Sequence, residues 1–179
     1  MKIELKPVRP ADVDMLNQWF TAVENARVWR YRGATPDPEA FGTHLWAGTL
    51  AHFLCISESP RVPVCYVSIY DANLASGHAK MACISSPQHR KTGASTFGFI
   101  AGASYAFKHW PFERILLECN TYSVEGFASG IERGFLHEIA RIPRYERFAM
   151  NDWADLIWLE YRREVHEKNA EAGYLGAWK

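Results

Sequence analysis

Ser86-Pro87-Gln88-His89-Arg90-Lys91-Thr92-Gly93-Ala94-Ser95 decides how this chain folds, because the stretch follows a strand-like run, carries one well-placed glycine and opens a helical pattern. The layout suits an anion. Backbone N–H groups in such a loop and in the first helical turn have no intrahelical partners, and the positive end of the helix dipole adds to them. Arg90 and Lys91 contribute two cations. An Arg-x-x-Gly-x-Ser spacing taken alone equally describes an ordinary strand-to-helix turn with a solvated basic tip, so the neighbouring elements carry the reading.

Upstream, residues 52–57, 62–71 and 79–85 read as three strands separated by Glu-Ser-Pro-Arg and Asn-Leu-Ala-Ser-Gly, an antiparallel meander. Before them, residues 3–9 read as a strand. Pro10 then starts a helix with Val13, Leu16, Phe20 and Val23 at helical spacing. Residues 25–33 are irregular, and a second helix starts after Thr35-Pro36-Asp37 and runs to Gly48. Downstream of the loop, Ala94, Phe97, Ala101, Ser104 and Tyr105 share one stripe of a helix that ends before Pro111. Residues 115–120 form a buried strand. Ser123 is the expected N-cap of a helix with Val124, Phe127, Ala128 and Ile131 on one face and Gly134 at C′. Residues 136–142 and 156–161 supply the last two strands. Residues 1–163 are read as one domain, and residues 164–179 as a polar, helical tail packed on or extending from it.

The chain has 179 residues and equal numbers of acidic and basic side chains, twenty of each. That balance gives no global basic field of the kind that drives general nucleic-acid binding. With no long apolar run and no signal-peptide pattern, a soluble cytoplasmic protein without membrane association is expected. Cys55, Cys65, Cys83 and Cys119 each fall inside an apolar run, and no pair has metal-ligand spacing. Buried free thiols and no metal are the expectation.

The loop resembles the acyl-CoA pyrophosphate loop of the GNAT N-acyltransferases, Gln/Arg-x-x-Gly-x-Gly/Ala, and most of all the branch that acetylates ribosomal-protein N-termini. Ser86, Pro87, Arg90 and Gly93 match that branch directly. Gln88 stands for its usual Glu, Ser95 for a small Ala, and Lys91 for the first glycine of Arg-Gly-x-Gly, a replacement that requires a negative φ at Lys91. The likeness continues in Tyr105-Ala106-Phe107, Phe112-Glu113-Arg114-Ile115 and Glu132-Arg133-Gly134-Phe135. The family's Asn falls on Ser123, with Asn120 three residues earlier, and Gly130 occupies the place of a Tyr that many members carry.

The resemblance implies an α/β fold: a mixed, mostly antiparallel sheet of six to seven strands with about four helices, splayed between strands four and five by a bulge on strand four. It implies acetyl-CoA, or another acyl-CoA, as co-substrate. Pantetheine would pair with the free edge of strand four around Cys83, Ile84 and Ser85, as an added strand would. The pyrophosphate would sit on Gln88, His89, Arg90, Lys91, Thr92, Gly93, Ala94 and Ser95, and the thioester would point toward residues 120–123.

Direct attack of an amine on a thioester in a ternary complex requires a neutral amine, a stabilised oxyanion and a proton for the thiolate. A lysine-like amine, with a pKa near ~10.4, needs a base more than an α-amine at about 7.7–8.0 does. Glu118, Asp71, His78 and His137 are the candidate bases, each equally readable as a solvated or paired surface group. Glu118 is preferred because its strand lines the V. Tyr122 and Ser123 compete as acid, beside Asn120. Trp29, Arg30, Tyr31 and Arg32 lie where the family's first two helices wall the acceptor site, with Asp71 nearby, and the paired arginines suit a carboxylate or phosphate on the acceptor. The acceptor itself, a small molecule or a protein amine, and the oligomeric state, a dimer included, stay open. So does a second reading, a catalytically silent module that binds CoA or a protein partner.

Overall fold

One strand organises the molecule because one of its edges is paired throughout and the other only at its start. The computed structural model describes residues 2–29 and 37–173. The strands are β1 (Ile3–Pro7), β2 (Thr49–Ser57), β3 (Pro63–Asn73), β4 (His78–Ser85), β5 (Arg114–Asn120), β6 (His137–Ala149) and β7 (Asp152–Arg162). They form one seven-stranded sheet in the order β1-β2-β3-β4-β5-β7-β6. All neighbours are antiparallel except β4 and β5, which run parallel. That pair is joined only at His78 with Arg114, Ala79 with Ile115 and Lys80 with Leu116. Beyond Lys80 the two strands part.

The expected bulge on β4 lies instead on β3. Tyr70 pairs with Lys80 and Asn73 with His78, so Asp71 and Ala72 oppose Ala79 alone. Asp71 takes φ 50°, a left-handed conformation that a short polar side chain tolerates better than most. β4 itself runs unbroken against β3, and the V opens because its pairing with β5 stops.

The helices are α1 (Val13–Thr21), α2 (Pro38–Trp46), α3 (Ala94–His109), α4 (Ala128–Glu132) and α5 (Arg163–Glu171). Asp37 caps α2, its Oδ1 accepting from the N–H groups of Glu39 and Ala40 at 2.9 and 3.2 Å. α1 and α2 cover one face of the sheet, where Leu16, Phe20, Phe41, Leu54 and Tyr66 form a buried cluster. α3 covers the other face with Val67, Met81, Ile115, Leu117 and Ile157. Its approach is close. A Cβ on Gly98 would lie 2.7 Å from Sγ of Cys65, and one on Gly102 would lie 2.7 Å from Cγ1 of Val67. Small residues therefore dominate the buried face of α3, with Phe97 and Tyr105 only half-buried.

Two expectations near the C-terminus change. Residues 123–134 form a 3₁₀ turn and the five-residue α4 rather than one helix. β6 does not stop before Pro143; it continues through a bulge in which Ile142 pairs with Leu156 and Glu146 with Ala154. An edge strand accommodates proline there because no partner needs its missing N–H. α5 docks through buried His166 and Asn169. Arg163 donates to the carbonyls of Phe107, Trp110 and Phe112 at 2.7–2.9 Å, which satisfies the C-terminal end of α3.

Candidate active site

Where β4 and β5 diverge, a cavity of about 240 Å³ opens among Met81, Ala82, Cys83, Leu117, Glu118, Cys119 and Asn120, with Trp29, Tyr70 and Glu146 at its rim. A second space of about 460 Å³ runs from Cys83, Ile84 and Ser85 past Arg90, Lys91, Gly93 and Ser95 to Tyr122 and Ser123. Val28, Cys83, Ser123 and Phe127 border both, so the two spaces adjoin. The edge of β4 from residue 81 to 85 has no β5 partner along it.

At the loop, Gly93 has φ 83° and heads α3. A Cβ there would meet Phe97 at an ordinary 3.5 Å, so conformation and not space calls for glycine. Lys91 overturns its expectation: its φ is 59°, not negative. The loop is left-handed at this position and holds a lysine in that conformation. Strain of about 1–2 kcal/mol accompanies a side chain there. Ser86 Oγ and His89 Nδ1 are 2.7 Å apart, and Thr92 Oγ1 donates to the His89 carbonyl at 2.7 Å. Gln88, His89 and Thr92 border neither space, and Ala94 is fully buried.

After β5, Asn120 commits all its polar groups. Its Nδ2 donates to the Arg27 carbonyl at 3.0 Å and to Oε2 of Glu146 at 2.9 Å. Its Oδ1 accepts from the N–H groups of Tyr122 and Ser123, both at 3.0 Å. Asn120, not Ser123, therefore caps the turn that follows. Ser123 Oγ accepts from the Asn120 N–H at 2.8 Å and donates to its carbonyl at 3.2 Å. The Tyr122 hydroxyl donates to Asp152, which holds its pKa above the ordinary tyrosine value. Arg27 pairs with Asp152 at 2.9 Å and lies 5.0 Å over the Tyr122 ring. Residues 22–29 thus strap the two arms of the V together.

Glu118 alternates to the α1–α2 side of β5 and borders the cavity. Lys80 Nζ is 3.8 Å from its carboxylate, 2.9 Å from Asp71 and 4.8 Å above the Trp158 ring. Hydrogen bonding to Lys80 holds the Asp71 carboxyl below its ordinary value, and the same contact raises Lys80. Asp71 is exposed behind Lys80 rather than in the cavity wall. His137 is exposed at the start of β6. Trp29 is buried against Phe20, their ring centroids 4.6 Å apart; Arg30, Tyr31 and Arg32 lie outside the described residues. Asn25, Arg27, Glu146 and Asp152, which complete the site, carry no motif in the sequence.

The four cysteines are free. Burial pushes the Cys119 thiol up to about 12 and holds Cys65 and Cys83 well above the usual thiol range. Thiolate nucleophiles are disfavoured at all three.

No protein-family model and no curated protein matches the sequence. Solved structures do match in fold. The Vibrio cholerae spermidine N-acetyltransferase in complex with CoA and spermine superposes with a TM-score of 0.75 at 14% identity, covering 92% of this chain and 98% of that one. A chimera of that enzyme with hSSAT gives 0.74 at 12%, covering 94% and 99%. A protein assigned as a phosphinothricin N-acetyltransferase gives 0.72 at 11%, covering 90% and 98%. This chain has the GNAT fold. Its parallel β4–β5 pair, seven-stranded mixed sheet and flanking helices are the features shared. Within the GNAT fold of this chain, the V and the Arg90–Lys91–Gly93 turn border adjoining spaces that share Cys83 and Ser123.

Proposed function

We propose that the protein transfers an acyl group, acetyl in the first place, from acyl-CoA to an amine by direct attack in a ternary complex. The observation that carries this reading is the pair of adjoining spaces that run from the cationic turn at Arg90 and Lys91, beside the unpaired edge of β4, to the carboxylate of Glu118. The residues fit the cofactor: two cations and the free N–H groups at the head of α3 suit phosphates, and the β4 edge suits amides. Acyl-CoA would supply an electrophilic thioester carbonyl.

In this reading the acceptor enters from the α1–α2 side, against Trp29 and Tyr70, and Glu118 takes the proton that frees its nitrogen lone pair. An edge N–H of β4 stabilises the oxyanion. Asn120 and Ser123 shape the turn that follows β5, and CoA would leave as a thiolate that takes its proton from solvent water. Tyr122 would act as acid only by releasing Asp152, so its first role is to close the strap. A soluble, cytoplasmic setting suits this chemistry, and among the described residues no helix is long and apolar enough to cross a membrane.

The test is thermal unfolding with acetyl-CoA, followed by acetyl-CoA consumption over pools of amines. Stabilisation by mass action together with turnover is expected. Stabilisation without turnover on any amine would leave a silent CoA-binding module. No shift at millimolar acetyl-CoA would remove the acyl-CoA reading.

A further inference from the structure

The cavity in the V has two unlike halves. Strand alternation turns Met81 and Leu117 to the α3 face, with the thiols of Cys83 and Cys119, while Glu118 and Tyr70 face α1 and α2. An acyl chain belongs in the apolar half and the charged acceptor in the polar one. The apolar half is shallow. Met81 is 1% exposed and lies over α3 where Gly102 leaves room for it; a Cβ on Gly102 would be 3.4 Å from both Sδ and Cε of Met81. The helix backbone therefore lies directly behind the methionine, and no deeper space follows. Leu117, 2% exposed, is the first residue of β5 beyond the last pair with β4 and borders the same end of the cavity.

We infer that Met81, backed by Gly102 and accompanied by Leu117, is the floor of the acyl pocket and restricts the donor to short chains, acetyl and propionyl, against butyryl and longer. The inference rests on the acyl-CoA reading. The cavity of about 240 Å³ must take both the acyl group and the reacting end of the acceptor. An additional methylene buried in open apolar space strengthens binding about fourfold. Against a packed floor it must displace Met81 into a helix backbone, and overpacking reverses the gain. Met81 is the residue to change, because its unbranched side chain fills the gap beside Gly102 and its removal opens space without touching the loop or Glu118.

The test is calorimetric titration of wild type, Met81→Ala and Leu117→Ala with acetyl-, propionyl- and butyryl-CoA, at a temperature where circular dichroism shows each variant folded. Wild type should bind butyryl-CoA roughly tenfold more weakly than acetyl-CoA. In Met81→Ala the order should invert, with a butyryl preference of up to about fifteenfold for two methylenes. Leu117→Ala should move the ratio the same way, which keeps a reading available if one variant fails to fold. Equal affinity of wild type for acetyl- and butyryl-CoA, or an unchanged ratio in a folded variant, overturns the floor and leaves the acyl-CoA site intact. Absence of binding by wild type to all three thioesters overturns the site itself, and the floor with it.

Discussion

Arg90 donates from Nη1 to Oδ1 of Asn25 at 3.1 Å, so a cation of the turn before α3 is held by the strap that crosses the cleft. The Asn25 amide also donates to the carbonyls of Trp19 at 2.8 Å and Ser85 at 3.4 Å, and the residue is 1% exposed. One buried side chain thus ties the end of α1, the end of β4 and the loop. Asn25→Ala leaves the Trp19 carbonyl unsatisfied and frees Arg90. Stability should fall by about 1–3 kcal/mol, and the shift produced by acetyl-CoA should shrink although Asn25 carries no charge. Chemical denaturation with and without acetyl-CoA checks both. An unchanged cofactor response would separate the strap from the loop.

Lys91 stands where its φ of 59° favours glycine. Lys91→Gly should raise stability by up to about 1 kcal/mol through relief of that strain, offset in part by glycine's entropy in the unfolded chain. The same change removes a cation from the end proposed for the CoA phosphates, so acetyl-CoA should bind more weakly, and more steeply so at low ionic strength. Gly93→Val, forced to φ 83°, should instead lose stability and binding together. A Lys91→Gly variant less stable than wild type would contradict the strain.

Much of this arrangement is legible in the sequence, for physical reasons that also mark where legibility stops. The loop and the strands beside it are local: Pro87, Gly93 and the apolar runs dictate them within a few residues. α3 is different. Its buried face is built from Gly98, Ala101, Gly102 and Ala106, whose small size reports a close approach to β3, while periodicity seeks large apolar side chains and so picks Phe97 and Tyr105. The β3 bulge at Asp71 and the run of β6 through Pro143 depend on which strand lies at an edge, a property of the assembled sheet. Asn25, Arg27, Glu146 and Asp152 make their contacts across 26 to 125 residues of sequence, and nothing local marks them.

The thiols give a second kind of test. Cys55, Cys65 and Cys119 are buried and Cys83 is half-buried, with burial holding Cys65, Cys83 and Cys119 well above the usual range. Native protein should react slowly with a disulfide reagent at pH 8, and release of four thiols should accompany denaturation. Acetyl-CoA should slow Cys83 further, because that residue borders both spaces. Rapid labelling of one cysteine in the native state would reopen covalent catalysis.

His166 is buried between Tyr161, whose hydroxyl lies 3.1 Å from Nδ1, and Phe107. Burial lowers its pKa below the ordinary value of 6.5. The unfolded chain therefore takes up a proton that the folded one refuses, and stability is full above about pH 6.5 and lost as pH falls below it, until the folded pKa is reached. His52 shifts in the same direction for the same reason. The melting temperature should drop between pH 7.5 and 5.5. His166→Phe should flatten part of that slope and leave the remainder to His52. An unaltered slope in the variant would place the titration elsewhere.

Glu118 and Tyr122 separate in the mechanism. Initial-rate plots with amine and acetyl-CoA both varied should intersect, as a ternary complex requires, and no acetyl-enzyme should accumulate. Glu118→Gln should lower kcat by about a hundredfold with little change in acetyl-CoA affinity, and more for a lysine-like amine than for an α-amine, whose lower pKa leaves less for a base to do. Tyr122→Phe should behave otherwise. Its hydroxyl gives its proton to Asp152, beside Arg27, so the variant should loosen the strap and raise KM for acetyl-CoA while kcat falls less than about tenfold. A hundredfold loss of kcat at unchanged KM in Tyr122→Phe would mean that the hydroxyl leaves Asp152 during turnover and protonates the thiolate. A wild-type rate in Glu118→Gln would move proton removal to another group bordering the cavity or to ordered water. Parallel plots together with a trapped acetyl-cysteine would remove direct transfer altogether.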